Sequence, residues 1–272
     1  MVARPLHRAS LVLLFMLACT STPTEPEFDN PIIPDDPNYV PPLTTIVSGP
    51  AEGEVVDAHT VTFIWSGNQP GMSFLYRLTG SAWSDWTADT TVTFIYLDEG
   101  DYTFEVIGRY ASGIEEDPPT IRNYTIDDIH GPALWLAPRF QSVIQGGSVT
   151  VEVMLEEVTN VLAVKAALAF NPAQLQVTSI EVYEDSRSLL KSNGGTVIPF
   201  SSYDNSAGTI TIEVATATGS PAGVSGTGAI AKVTLTVTQS GQLVFGAASS
   251  LRDASNVTIT ILETAAAVVE VR

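Results

Sequence analysis

From residue 44 onward, apolar and polar residues alternate with a period of two. In "TVTFIWSG" Val61, Phe63 and Trp65 share one face, and "SFLYRL", "TVTFIYL" and "DYTFEVIGRY" continue the pattern. A period of two is that of a strand with one buried face. The breaks between runs carry Gly, Asn, Asp and Pro, as in "SGNQPG" and "LDEGD", the residues that turns require. A second series of strand-like runs follows from about residue 133: "SVTVEVML", "VLAVKAALAF", "LQVTSIEV", "TVIPFSSY", "GTITIEVATAT", "AIAKVTLTV", "GQLVFG" and a closing "AVVEVR". No helical period of comparable length appears. The pattern predicts an all-β protein of two β-sandwich domains in series. The first, residues 44–127, is rich in aromatics, and the second, residues 128–272, is built on Ala, Val and Ile. "IDDIHGP" between them has the acids and glycine of an interdomain hinge.

In "VLAVKAALAF", Leu162, Val164, Ala166, Leu168 and Phe170 are expected in the core. Ala163, Lys165, Ala167 and Ala169 then form an outer face that is small, flat and carries one charge. Such a face is ordinarily a solvated sheet. Ahead of the sandwiches, residues 20–43 carry Pro, Thr and acids at short intervals. Proline removes donors and acids repel one another, so this segment is expected to be an extended stalk.

Composition narrows the function. A formal net charge of -18 over 272 residues, with basic residues few and scattered, excludes nucleic acid as a partner. Cys19 is the only cysteine, which excludes an internal disulfide framework. It stands where the apolar run "LVLLFMLA", preceded by Arg4 and Arg8, gives way to the proline-rich segment. That arrangement resembles the bacterial lipoprotein signal, with Met16 where the pattern prefers leucine. The resemblance implies that residues 1–18 are a signal peptide and that Cys19 becomes a lipidated N-terminus. It further implies an exported protein anchored in a membrane by its lipid. Thr20, in place of the aspartate that holds some lipoproteins at an inner membrane, points to the outer membrane or cell surface.

Within residues 44–127, Leu97-Asp98-Glu99-Gly100-Asp101-Tyr102 places a leucine, a glycine turn and a tyrosine at the mouth of a strand, as in a tyrosine corner. With Trp65 and "YRLTGSAWSDW", this segment resembles a fibronectin type III domain and is nearest to the triple-tyrosine sandwiches of bacterial surface and sensor proteins. The C-terminal half resembles the cohesin family, sandwich modules that bind dockerins. The likeness rests on ordered landmarks: Phe170-Asn171-Pro172, where the family usually has aromatic-Asp-Pro; Gly226, Gly228, Ile230, Ala231 and Val233 in "GVSGTGAIAKVTLTV"; and Leu251 and Asp253 in "LRDASNVTI". It implies that dockerin-bearing proteins dock on one sheet face. Ala163, Lys165, Ala167, Tyr203, Asp204, Thr211 and Glu213 are the candidates, read from alternation along the strands. Calcium would belong to the dockerin, since no Asp-x-Asn-x-Asp-Gly loop occurs in this chain, and no cofactor or metal site is expected here.

Two other readings stay open. Trp83 and Trp86 could stack on sugar rings and make the protein a carbohydrate-binding one, and both sandwiches could be purely structural spacers. Catalysis is not expected. His59 and His130 are the histidines left after signal removal, no Gly-x-Ser-x-Gly turn accompanies them, and the abundant acids lie mostly in turns such as Glu115-Glu116-Asp117.

Overall fold

The computed structural model describes residues 30–217 and 223–272. Cys19 and the signal segment lie outside the described residues, as does part of the glycine-rich link near residue 219. Residues 30–41 form a unit of their own. Here the extended-stalk expectation is corrected: consecutive turns fold the segment back until the Val40 N–H reaches the Pro31 carbonyl at 2.9 Å. Asp36 organises the turns by accepting the N–H groups of Asn30 and Asn38 at 2.8 and 2.7 Å. Proline excludes helix and sheet here, yet Asn and Asp side chains can still close turns locally.

The first sandwich comprises β1 (Thr44–Ser48), β2 (Glu54–Val56), β3 (Val61–Gly67), β4 (Ser73–Leu78), β5 (Thr91–Phe94), β6 (Gly100–Arg109) and β7 (Thr120–Ile126). They form a three-stranded sheet, β1-β3-β5, facing a four-stranded sheet, β2-β7-β6-β4. The inward face of β3 supplies Phe63 and Trp65, both fully buried. Phe63 stacks on Phe104 of β6 at 4.0 Å, and Trp65 packs against Phe74 and Tyr76 of β4. This aromatic cluster is where the alternation of "TVTFIWSG" leads. The corner ahead of β6 closes as its residues require, because the Tyr102 hydroxyl donates to the Asp98 carbonyl at 3.1 Å. Tyr102→Phe is expected to lower the unfolding free energy by about 1 kcal/mol, the usual net worth of one hydrogen bond, as read by urea titration.

The second sandwich comprises β8 (Ala133–Ala137), β9 (Phe140–Val143), β10 (Ser148–Phe170), β11 (Leu175–Val182), β12 (Thr196–Asp204), β13 (Thr209–Ala217), β14 (Val224–Val237), β15 (Gly241–Phe245), β16 (Ser250–Asp253), β17 (Thr258–Ile259), β18 (Glu263–Ala265) and β19 (Ala267–Val271). The two runs "SVTVEVML" and "VLAVKAALAF" are one bent strand, β10. Its first half pairs with β8 and β14, and its second with β13, β16 and β15. The bend lies where the register to β14 shifts between Leu155 and Val161, with Glu157 and Asn160 at positive φ. Extra residues at a bulge turn a strand without ending it. A further shift opposite β16 puts Val161, rather than the expected Leu162, in the core. Beyond it Val164, Ala166, Leu168 and Phe170 point inward as expected, against Ile210, Ile212 and Val214 of β13. β19 closes the fold between β15 and β9. Among the described residues there is no α-helix, and none long and apolar enough to cross a membrane.

Candidate functional site

β12, β13, the second half of β10 and β16 lie side by side, and their register sets the outer face in rungs. Ile198, Ala215, Ala163 and Arg252 form one rung. Phe200, Glu213, Lys165 and Ser250 form the next. Ser202, Thr211 and Ala167 follow, then Asp204, Thr209 and Ala169. Side chains in register across neighbouring strands share a face. Five of the expected residues, Ala163, Lys165, Ala167, Thr211 and Glu213, are therefore together on one surface.

Two others are placed differently. Tyr203 is opposite the buried Ile210 and belongs to the other face of β12, where its exposure comes from the strand's position at the sheet edge. Consecutive strand residues point to opposite sides, so Tyr203 and Asp204 cannot serve one surface together. Asp204 keeps the parity of the face but works in its own turn. Its Oδ1 accepts from Ser206 Oγ, Ser206 N and Ala207 N, and these bonds hold its carboxyl below the ordinary aspartate range.

The residues that alternation along single strands had missed are Ile198, Phe200 and Arg252. Ile198 and Phe200 are each 55% exposed, high values for large apolar side chains on one strand. The parity of "TVIPFSSY" could have nominated them, whereas Arg252 is brought to Ala163 only by the pairing of β16 with β10. Together with Ala163, Ala215 and Ser250 they line a shallow depression of about 450 Å³. Its floor is alanine, so no side chain fills it. Its charges are unequal: Lys165 Nζ is spent on Glu213 Oε1 at 2.8 Å, while Arg252 Nη1 donates to the Asn256 carbonyl at 3.1 Å and has no carboxylate partner among the described residues.

The two tryptophans of the first sandwich stand apart from this face. The Arg77 guanidinium lies 4.4 Å over the Trp83 ring, and that of Arg109 lies 3.9 Å over Trp86. Each indole thus has one face taken by a cation, the pairing favoured by the aromatic quadrupole. His59 Nδ1 and His130 Nε2 each face an aspartate, Asp128 at 3.0 Å and Asp57 at 3.2 Å. Among the described residues no three His, Cys, Asp or Glu side chains converge so as to hold a metal ion.

Comparison with known proteins bears on this half of the chain. Residues 141–267 match the family model described as "Cohesin domain". No curated protein sequence matches. Similar solved structures include a type II cohesin domain from the cellulosome of Acetivibrio cellulolyticus, at 15% identity, covering 50% of this chain and 94% of that one, with a TM-score of 0.42. A non-cellulosomal cohesin from the archaeon Archaeoglobus fulgidus is 17% identical over 52% of this chain and 90% of its own, with a TM-score of 0.40. The sixth cohesin of scaffoldin B from Acetivibrio cellulolyticus, solved in complex with a Cel5 dockerin, is 12% identical over 52% and 98%, with a TM-score of 0.41. On the family match, residues 141–267 of this chain are a cohesin domain.

Proposed function

We propose that this protein is a surface-held adaptor whose outer sheet face, β12-β13-β10-β16, receives a dockerin borne by another protein. One observation carries the reading: within a cohesin domain, Ile198 and Phe200 stand exposed around an alanine-floored depression with Arg252 at its rim. An exposed aromatic beside an unfilled hollow is the usual form of an interface anchor. The chemistry describes the partner surface, an aliphatic side chain for the hollow and a carboxylate for Arg252. In this reading Cys19 carries the lipid that holds the chain at a membrane, and two or more acyl chains would make that attachment firm. Polysaccharide-degrading assemblies are the setting that a dockerin partner implies. The covering of Trp83 and Trp86 by arginines favours protein docking over direct sugar binding.

The test is capture of purified dockerin modules, produced from the genes of the host, by the full chain with calcium or with chelator. Saturable binding that chelator abolishes, because the dockerin needs calcium to fold, is the expected outcome. Absence of binding to every dockerin, with retention on insoluble polysaccharide, would replace docking with the carbohydrate reading.

A further inference from the structure

The connection between the two sandwiches was expected to be a hinge, and its side chains are arranged otherwise. Ile129 is completely buried, packed with Ala133 and Trp135. Arg139, in the turn between β8 and β9 of the second sandwich, has a side chain only 5% exposed. Its backbone N–H donates to Asp98 Oδ1 of the first sandwich at 2.7 Å, and its Nη1 donates to Asp128 Oδ2 of the connection at 3.1 Å. Its Nη2 lies 3.0 Å from Asp128 Oδ1 and 3.7 Å from Glu99 Oε1. Glu99, at the corner of the first sandwich, in turn accepts the N–H groups of Asp128 and Ile129 at 3.2 Å each. Beside this cluster the rings of His59, Tyr96 and Phe140 stack across the same boundary, with centroids 6.0 and 5.9 Å apart. Gly131 approaches the Glu156 carbonyl so closely that an added Cβ would sit 2.2 Å from that oxygen.

We infer that the two sandwiches turn as one body, latched by Arg139, so that the first sandwich sets the direction in which the outer face of β12-β13-β10-β16 is presented. Contacts between domains of one chain are ordinarily loose enough to allow relative motion. Here Asp128 of the connection and Glu99 of the corner before β6 face the guanidinium of Arg139, His59 from the loop before β3 braces the same Asp128, and Asp98 holds the Arg139 backbone. A buried charge group of this kind leaves uncompensated charge if a single partner is withdrawn. The inference concerns the junction alone and stands whether or not the outer face binds a dockerin.

The titratable groups that face the latch are Asp98, Glu99 and Tyr102 from the corner, His59 from the loop before β3, and Asp128 from the connection. Burial, and then the hydrogen bond shared with Asp128, push the Glu99 carboxyl up to about 8. Burial would also raise Asp128, but the bonds from Arg139, Glu99 and His59 outweigh it and hold that carboxyl below the usual range. Burial raises Asp98 against the opposing pull of Arg139. With a folded-state value above the ordinary one, Glu99 favours the closed junction fully below its unfolded value and loses that contribution as pH rises through about 8. Asp128 has the opposite sign: its contribution is present above its unfolded value and lost as pH falls through its lowered folded value.

Hydrogen exchange on the full chain reads the latch directly, because the amides at 128, 129 and 139 donate to carboxylates across the boundary. After correction for the intrinsic pH dependence of exchange, these amides are expected to be protected at pH 7 and to lose about tenfold at pH 9. Arg139→Met is expected to cost them at least tenfold at pH 7 while β6 and β10 keep their protection. Glu99→Gln, neutral at every pH and still able to accept both N–H groups, is expected to stay protected at pH 9. Free exchange of the three amides in the unaltered chain at pH 7 would overturn the latch, as would protection unchanged in Arg139→Met. Loosening of Glu99→Gln at pH 9 to the same extent as the unaltered chain would overturn the assignment of the proton. Should Arg139→Met unfold the first sandwich, Arg139→Lys, which keeps the charge but cannot reach both oxygens of Asp128, takes its place, and unchanged protection of the three amides in that variant would overturn the latch.

Discussion

Phe200→Asp is expected to weaken capture of a dockerin by about 30- to 800-fold, the effect of losing about 2–4 kcal/mol at an aromatic anchor. The side chain is 55% exposed on an edge strand, flanked by the alanine-floored hollow, and it makes no contribution to the buried cluster of the second sandwich. Removing it should therefore leave the unfolding free energy within about 0.5 kcal/mol of the original. A carboxylate at this point also stands next to Glu213 in the same rung, so the rim gains like charge where a partner's carboxylate is expected. Tyr203→Asp supplies the comparison. Tyr203 lies three residues away on the same strand with similar exposure, but it faces the other side. Calorimetric titration should find its effect below about threefold, as for a surface change outside the interface. Equal losses from the two variants would remove the rung geometry as the basis of docking.

Gly208→Ala is expected to destabilise the second sandwich by roughly 3 kcal/mol or more in chemical unfolding, at the upper end of what single substitutions do. Gly208 closes the β12–β13 turn at φ +69, and a Cβ there would stand 2.1 Å from the Phe170 carbonyl and 2.9 Å from Pro172 Cδ. Neither obstacle can swing aside, because the first is backbone and the second is a ring fixed to it. The Gly208 carbonyl also accepts the Phe170 N–H at 2.9 Å, so displacing the turn breaks that bond and disturbs a buried phenylalanine. Gly194→Ala separates the two contributions. It has a similar φ of +78 with nothing within 4 Å of the added carbon. Only the cost of the left-handed backbone should appear there, about 1–2 kcal/mol. Because Gly208 ends the hairpin that carries Phe200, its variant should weaken docking as well as stability.

These two positions show how differently the chain discloses its features. The Phe170-Asn171-Pro172 landmark was legible as a strand end, since proline cannot extend a ladder. The Gly208 turn packed upon it was not, because it comes from residues that local pattern treats as an unrelated hairpin. The tyrosine corner was legible at Tyr102, and the hydroxyl bond to the Asp98 carbonyl is there. The use of the same Asp98 to receive Arg139 was not, because the partner is 41 residues away. Reading "IDDIHGP" as a hinge followed from composition. Its Asp128 is instead committed to a buried guanidinium, a commitment that only the approach of the two sandwiches creates.

The sequence by itself determined the all-β character, the division into an aromatic and an aliphatic sandwich, and the inward residues of β3 and, Leu162 apart, of the second half of β10. Those follow from a side-chain period of two and from turn residues, both properties of the local backbone. The tertiary structure alone decided that β10 bends and changes pairing partners midway, from β8 and β14 to β13, β16 and β15, shifting the core position from Leu162 to Val161. It alone set Arg252 beside Ala163 and joined the two sandwiches through Arg139. Each of those depends on which distant strands become neighbours and in what register, and register is settled by packing across the whole sheet rather than by any one strand.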